Sequence, residues 1–130
     1  MNPASHWIWV ALGGALGATA RWAVMRWMGS GLPGGIPWST LTVNLLGSLL
    51  VGVLMGVAAK GNVPEPVRMF LGMGVLGGFT TFSTFSADLM LLTGSAGGFG
   101  RALLYGVGSV VGGWCAAWGG LVLATMILRR

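Results

Sequence analysis

The chain has 130 residues, 55% of them hydrophobic and only 7% charged, with a mean hydropathy of +0.83; that balance excludes a water-soluble domain of this size. A spanning helix takes about 20 residues, so the length holds about four spans and leaves no room for a second domain. The formal charge of +5 comes from basic residues scattered singly, apart from Arg129 and Arg130, so no basic patch suited to nucleic acid emerges.

Apolar runs bounded by turn residues predict spans over 7–28, 38–59, 68–93 and 101–128. The first run ends faintly like a secretory signal, but no Lys or Arg precedes it, and it is read as a retained span. His6 comes just before it as an interfacial polar residue. Within it, Gly17-Ala18-Thr19-Ala20-Arg21-Trp22 places an arginine where insertion costs about 2.5–3.5 kcal/mol. Arg21 therefore either snorkels to the interface or lines a watery vestibule, where its potential draws anions.

A connection rich in Gly and Pro, 29–37, leads to the second span. Asn44 lies inside it, with Thr40 and Ser48 one turn away on the same face. A carboxamide in hydrocarbon must find partners. It either donates its amide hydrogens to an anion without adding charge or bonds across helices.

The connection 60–67, with Asn62, Pro64 and Pro66, leads to the third span. There the run Gly77-Gly78-Phe79-Thr80-Thr81-Phe82-Ser83-Thr84-Phe85-Ser86 interrupts the apolar pattern with two glycines, three aromatics and hydroxyls at 80, 81, 83, 84 and 86. Lipid offers backbone polar groups no partner, so such a stretch belongs in buried or water-lining surroundings. On a continuous helix Phe79, Phe82 and Phe85 form one stripe, and Thr80, Ser83 and Ser86 an adjacent one. Phenyl edges carry partial positive charge and hydroxyls donate hydrogen bonds, a combination suited to a small anion. The competing reading is aromatic packing, with the hydroxyls bonded back to the preceding turn. Asp88, just beyond, pairs with a base, caps a helix end or serves transport.

After 94–100 the fourth span carries Cys115, the single cysteine, read as a small buried apolar side chain; one cysteine excludes an internal disulfide and a multi-cysteine metal site. Glycine pairs at 13/17, 52/56, 74/78 and 108/112, one per span, predict close backbone approach in a tight bundle. Trp7, Trp9, Trp27 and Trp38 sit near span ends as interfacial anchors. One side of the membrane receives Lys60, Arg68, Arg129 and Arg130, the other Arg26 and Arg101, with Arg21 nearer to the second. So small a bias permits insertion in both orientations, and an antiparallel dimer, as well as a single orientation with termini inside. Nucleophile–base sets, phosphate loops and paired carboxylates are missing from the pattern, which argues against an enzyme. With Glu65 and Asp88 the only acids, a multi-carboxylate proton relay is also poorly supported.

The three strings 17–22, 40–48 and 77–86 together resemble the Fluc (CrcB) family of bacterial fluoride channels, in all four spans and in order. The resemblance implies an all-α membrane protein, four transmembrane helices per subunit with the third broken near its middle, assembled as an antiparallel, dual-topology homodimer in the bacterial inner membrane. It implies passive, fluoride-selective export through two pores, with Asn44, Phe82, Ser83, Thr84 and Phe85 on the fluoride pathway and Tyr105 and Ser109 as its fourth-helix members. It places Arg21 near a vestibule, and a structural sodium ion on the backbone carbonyls of Gly77 and Thr80 at the dimer centre. Related chains can carry a hydroxyl where this one has Gly112 and Gly113, which leaves a continuous polar track on that helix open. A small multidrug-type proton-coupled exporter shares the four short spans, but it needs an acid in the first span, and this chain has none there. A non-transporting membrane assembly subunit is the third alternative.

Overall fold

A chain that cannot share its backbone hydrogen bonds with lipid must close them within helices, and the computed structural model describes residues 6–29, 35–61 and 63–128 almost wholly in that form. Helix α1 is His6–Met28 and α2 is Trp38–Ala58. Helix α3, residues 65–79, runs through three pieces: an α-helical turn Glu65–Arg68, a π-helical stretch Met69–Leu76 and a last turn Gly77–Phe79. Helix α4 is Phe82–Thr93 and α5 is Gly98–Ile127. Among the described residues, four helical segments are long and apolar enough to cross a membrane, with Glu65–Thr93, break included, as the third. The protein is therefore a multi-pass, all-helical membrane protein.

The boundaries differ from the sequence reading for local reasons. The third span opens at Glu65 rather than Arg68, because Pro66 falls in the first turn, where its missing N–H costs nothing. Glu65 is thus a helical residue, and its carboxylate lies 3.9 Å from His6 at the start of α1. The fourth begins at Gly98 rather than 101, directly after Gly97 turns the chain with φ of 65°. Arg129 and Arg130, Asn62 and the connection residues 30–34 lie outside the described residues.

Two helix pairs make the body of the fold: α1 lies along α3, and α2 along α5. Glycine decides both. In the first pair a Cβ on Gly78 would come 2.6 Å from the Gly14 carbonyl, and Gly13 and Gly17 likewise face the α3 backbone. In the second, Gly52 faces the Ala117 carbonyl, and Gly120 faces Leu49 and Val53. Such backbone-to-backbone approach gains dispersion contacts that membrane helices cannot get from water exclusion. The expected pairs 13/17, 52/56 and 74/78 all pack against a neighbour. The fourth differs: Gly108 meets nothing within 4 Å and Gly112 meets only Leu45 side-chain atoms, while Gly120 makes the close contact in α5. The neighbouring positions 45/112, 48/113, 52/117 and 56/124 also show that α2 and α5 run side by side in the same direction.

Trp7, Trp27 and Trp38 are exposed at helix ends, as interfacial anchors require. Cys115 is exposed on α5, contrary to the expectation of a buried side chain; it lies on a face of that helix turned away from the bundle.

Candidate functional site

The backbone leaves the helix at Thr80 (φ −75°, ψ 155°) and Thr81 (φ −145°, ψ 114°). Two extended residues in mid-span leave helix-end carbonyls on one side and helix-start amides on the other without intrahelical partners. Threonine side chains meet part of this demand. The Thr80 hydroxyl donates to the Leu76 carbonyl at 3.0 Å. The Thr81 hydroxyl caps α4, accepting from the Thr84 amide at 3.2 Å and donating to the Thr84 hydroxyl at 3.0 Å. Gly47 of α2 makes room, for a Cβ there would collide with the Thr80 methyl.

Asn44 closes the rest. Its Oδ1 accepts from the Thr81 N–H at 2.8 Å and its Nδ2 donates to the Thr81 carbonyl at 3.1 Å. One carboxamide thus pairs with both polar groups of one residue, as a neighbouring strand would. Of the two readings offered for Asn44, the structure displays bonding across helices. The second Nδ2 hydrogen has no acceptor among the described residues and remains a donor at the break. From the other side Arg21 reaches in, with Nη1 3.5 Å from the Thr80 carbonyl. Half-buried and tied to the break, Arg21 points away from a purely interfacial role.

The break also splits the aromatic stripe. Phe79 ends α3 and is 7% exposed against α2, while Phe82 opens α4 and is 79% exposed; the three-residue step between them does not keep them on one face. Phe82 and Phe85 do stay together, with ring centroids 5.7 Å apart, and Tyr105 of α5 stands behind Phe85 at 5.3 Å. Tyr105 is itself buried and donates to Asp88 Oδ2 at 3.1 Å. Asp88, 7% exposed, takes this phenol as its partner, and no basic side chain bonds to it among the described residues.

Along these groups runs a groove of about 350 Å³, bordered by Asn44, Ser48, Thr80, Thr81, Phe82, Phe85 and Ser109, and further along by Val51, Val110 and Ala117. Four of the pathway residues expected from the sequence therefore come together: Asn44, Phe82, Phe85 and Ser109. Tyr105 backs the groove without bordering it. Ser83 and Thr84 belong to the α4 cap, the Ser83 hydroxyl lying 3.4 Å from that of Thr81. Ser86 bonds back to the Phe82 carbonyl at 2.9 Å, as the packing alternative foresaw for such hydroxyls. The Ser109 hydroxyl is buried without a partner among the described residues, the costliest state for a polar group in a membrane. Thr81 was missed as the pivot, because the run of hydroxyls gives no sign of which one caps a helix.

Two carbonyls at the break suit a hard cation. Thr81 gives its N–H to Asn44, so the Gly77 oxygen, four residues earlier, loses its usual helical donor. The Thr80 oxygen receives, among the described residues, only the long contact from Arg21. Among the described residues no cluster of three His, Cys, Asp or Glu side chains could hold a metal.

A small helical membrane protein whose third span is interrupted by a Phe- and hydroxyl-rich segment, pinned by an asparagine from the second, is a narrow class. The chain belongs to the CrcB-like family: the model described as "CrcB-like protein, Camphor Resistance (CrcB)" matches residues 8–121. It is 47% identical over 105 residues to the Fluoride-specific ion channel FluC of Thermus thermophilus, covering 81% of this chain and 82% of that one. Fluoride-specific ion channel FluC 2 of Moorella thermoacetica is 41% identical over 118 residues, 91% of this chain and 95% of its own. The FluC of Deinococcus radiodurans is 44% identical over 124 residues, 93% and 96% of the two chains.

Proposed function

We propose that this protein is a passive fluoride-selective ion channel of the bacterial inner membrane, letting fluoride leave the cytoplasm. The observation that carries the reading is the groove at the break. Its donors are neutral, comprising a spare Asn44 amide hydrogen and the partnerless Ser109 hydroxyl, and its aromatic members are Phe82 and Phe85. Neutral donors and ring edges replace lost water around a small anion without holding it by a fixed countercharge. The names of the relatives support fluoride as that anion. The exporter alternative has no support, because no acid lies in α1.

Two such subunits in opposite orientation would give two pores. Phe82 is largely exposed at the groove, a position that a second copy would cover. The carbonyls of Gly77 and Thr80 would hold the sodium ion at the meeting of the two breaks. Held there, it would supply positive charge to carbonyl oxygens that the break deprives of helical donors. Arg21 sets a positive potential beside the break, and Asn44 keeps the break open by holding Thr81.

The test is efflux from vesicles loaded with potassium fluoride and made potassium-permeable with an ionophore. Reconstituted protein should empty them of fluoride without coupling to a proton gradient, while chloride stays inside. Vesicles no leakier to fluoride than protein-free ones would end the proposal. Cross-linking between subunits of opposed orientation checks the dimer.

A further inference from the structure

Hydroxyls on membrane helices normally bond to their own backbone, and several here do. Thr19 and Thr125 donate to carbonyls one turn back at 2.8 Å, and Ser86 and Thr93 at 2.9 Å. Ser48 and Ser109 break the habit. Both border the groove, and neither makes a hydrogen bond among the described residues.

Ser48 follows Asn44 by one turn of α2, on the same face. Across from it on α5 is Gly113, where an added Cβ would lie 3.4 Å from the Ser48 oxygen. The hydroxyl therefore points at the place where α5 has no side chain. Because α2 and α5 run in the same direction, Asn44 and Ser109 share one level of the groove, and Ser48 and Gly113 share the next. Beyond them stand Val51 and Ala117, which offer nothing to an anion. Thr80, beside Gly47, also borders the groove here, but its hydroxyl is given to the Leu76 carbonyl, so Ser48 supplies the side-chain donor left unengaged at this level among the described residues.

We propose that Ser48 is a further anion-contacting residue, whose hydroxyl, one turn beyond Asn44 and Ser109, takes the ion on the α2 wall where Gly113 leaves the α5 wall bare. The proposal rests on the fluoride-channel reading and adds one contact to it. A helical turn advances about 5.4 Å, and a halide stripped of water finds hydrocarbon over that distance prohibitive without a donor. Moving the hydroxyl from one wall to the other keeps the donor and changes only the helix that carries it.

The experiment compares fluoride efflux for the parent chain, Ser48→Ala and the double variant Ser48→Ala with Gly113→Ser, each reconstituted after a monodisperse gel-filtration peak. Alanine keeps the volume of serine, so a role in packing is preserved while the donor is lost. Efflux should fall about tenfold in the single variant, the order of one hydrogen bond to a charged group, and recover most of the way when the hydroxyl is restored from α5. If the single variant does not yield folded protein, Ser48→Cys, close in size and a weak donor, is read by the same criterion. Parental efflux in Ser48→Ala overturns this inference and leaves the channel intact. A loss that Gly113→Ser does not repair also overturns it, by making Ser48 structural. A parent chain that conducts no fluoride overturns the channel itself.

Discussion

The two halves of the third span are held by different physics. The half before the break, α3, is fixed by backbone against backbone, its glycines meeting those of α1 with no polar side chain between them. The half after it, α4, is fixed by side chains: the Thr81 cap, the Asp88–Tyr105 bond and the Phe85–Tyr105 ring pair. Contact through glycine is unforgiving, since any added atom strikes a main chain. Contact through side chains is adjustable, and it exposes donors. The rigid half locates the break within the bilayer, and the adjustable half turns it into a site.

The contrast is broken most severely from the rigid side. Gly78→Val, whose Cβ would lie 2.6 Å from the Gly14 carbonyl, should cost about 3 kcal/mol, the upper end for overpacking against a main chain, and leave little monodisperse protein after extraction; normal yield would mean that α1 and α3 are loosely joined. Next is Asn44→Leu, which strands the N–H and C=O of Thr81 at about 1–3 kcal/mol each. It should lower the unfolding midpoint and suppress fluoride efflux by more than tenfold, whereas parental efflux would confine Asn44 to a structural role.

Smaller effects separate the two aromatics. Phe85→Ile loses ring pairing with both Phe82 and Tyr105, each about 0.5–1.5 kcal/mol beyond area burial, whereas exposed Phe82 pairs with Phe85 alone. Both replacements should reduce efflux, and Phe85→Ile should lower thermal stability in detergent more than Phe82→Ile; equal melting curves would remove Tyr105 as the support of Phe85. The smallest effect sharpens the glycine argument. Gly108→Ala enters open space and should be neutral or up to about 1 kcal/mol stabilising, while Gly120→Ala, facing the Leu49 backbone, should destabilise. A shared response would show that helix propensity, not approach distance, governs α5.

Much of this was legible in the chain because hydrocarbon enforces simple rules. Apolar runs near 20 residues marked the four spans and a polar insertion in one of them marked the site, while the break itself was implied by the family resemblance of that insertion. Periodicity failed where the break interrupts it: Phe79 and Phe82 lie three apart in sequence but on opposite sides of an extended pair. It also failed on α5, where spacing alone could not tell Gly108, which faces open space, from Gly120, which meets α2. Cys115 illustrates the same limit, since an apolar run in a membrane protein does not distinguish a core-facing from an outward-facing position. The bond between Asn44 and Thr81 was beyond sequence reasoning, for it depends on two extended residues whose partner is 37 positions away.

One consequence of the interrupted helix concerns acidity. Where α3 stops, carbonyl ends accumulate partial negative charge, and where α4 starts, amides present partial positive charge. The interior of the third span is thereby polarised by peptide groups that neither gain nor lose a proton near neutral pH. In the proposed channel their contribution to ion preference would stay constant with pH, a property that a pathway built on histidines or carboxylates could not have.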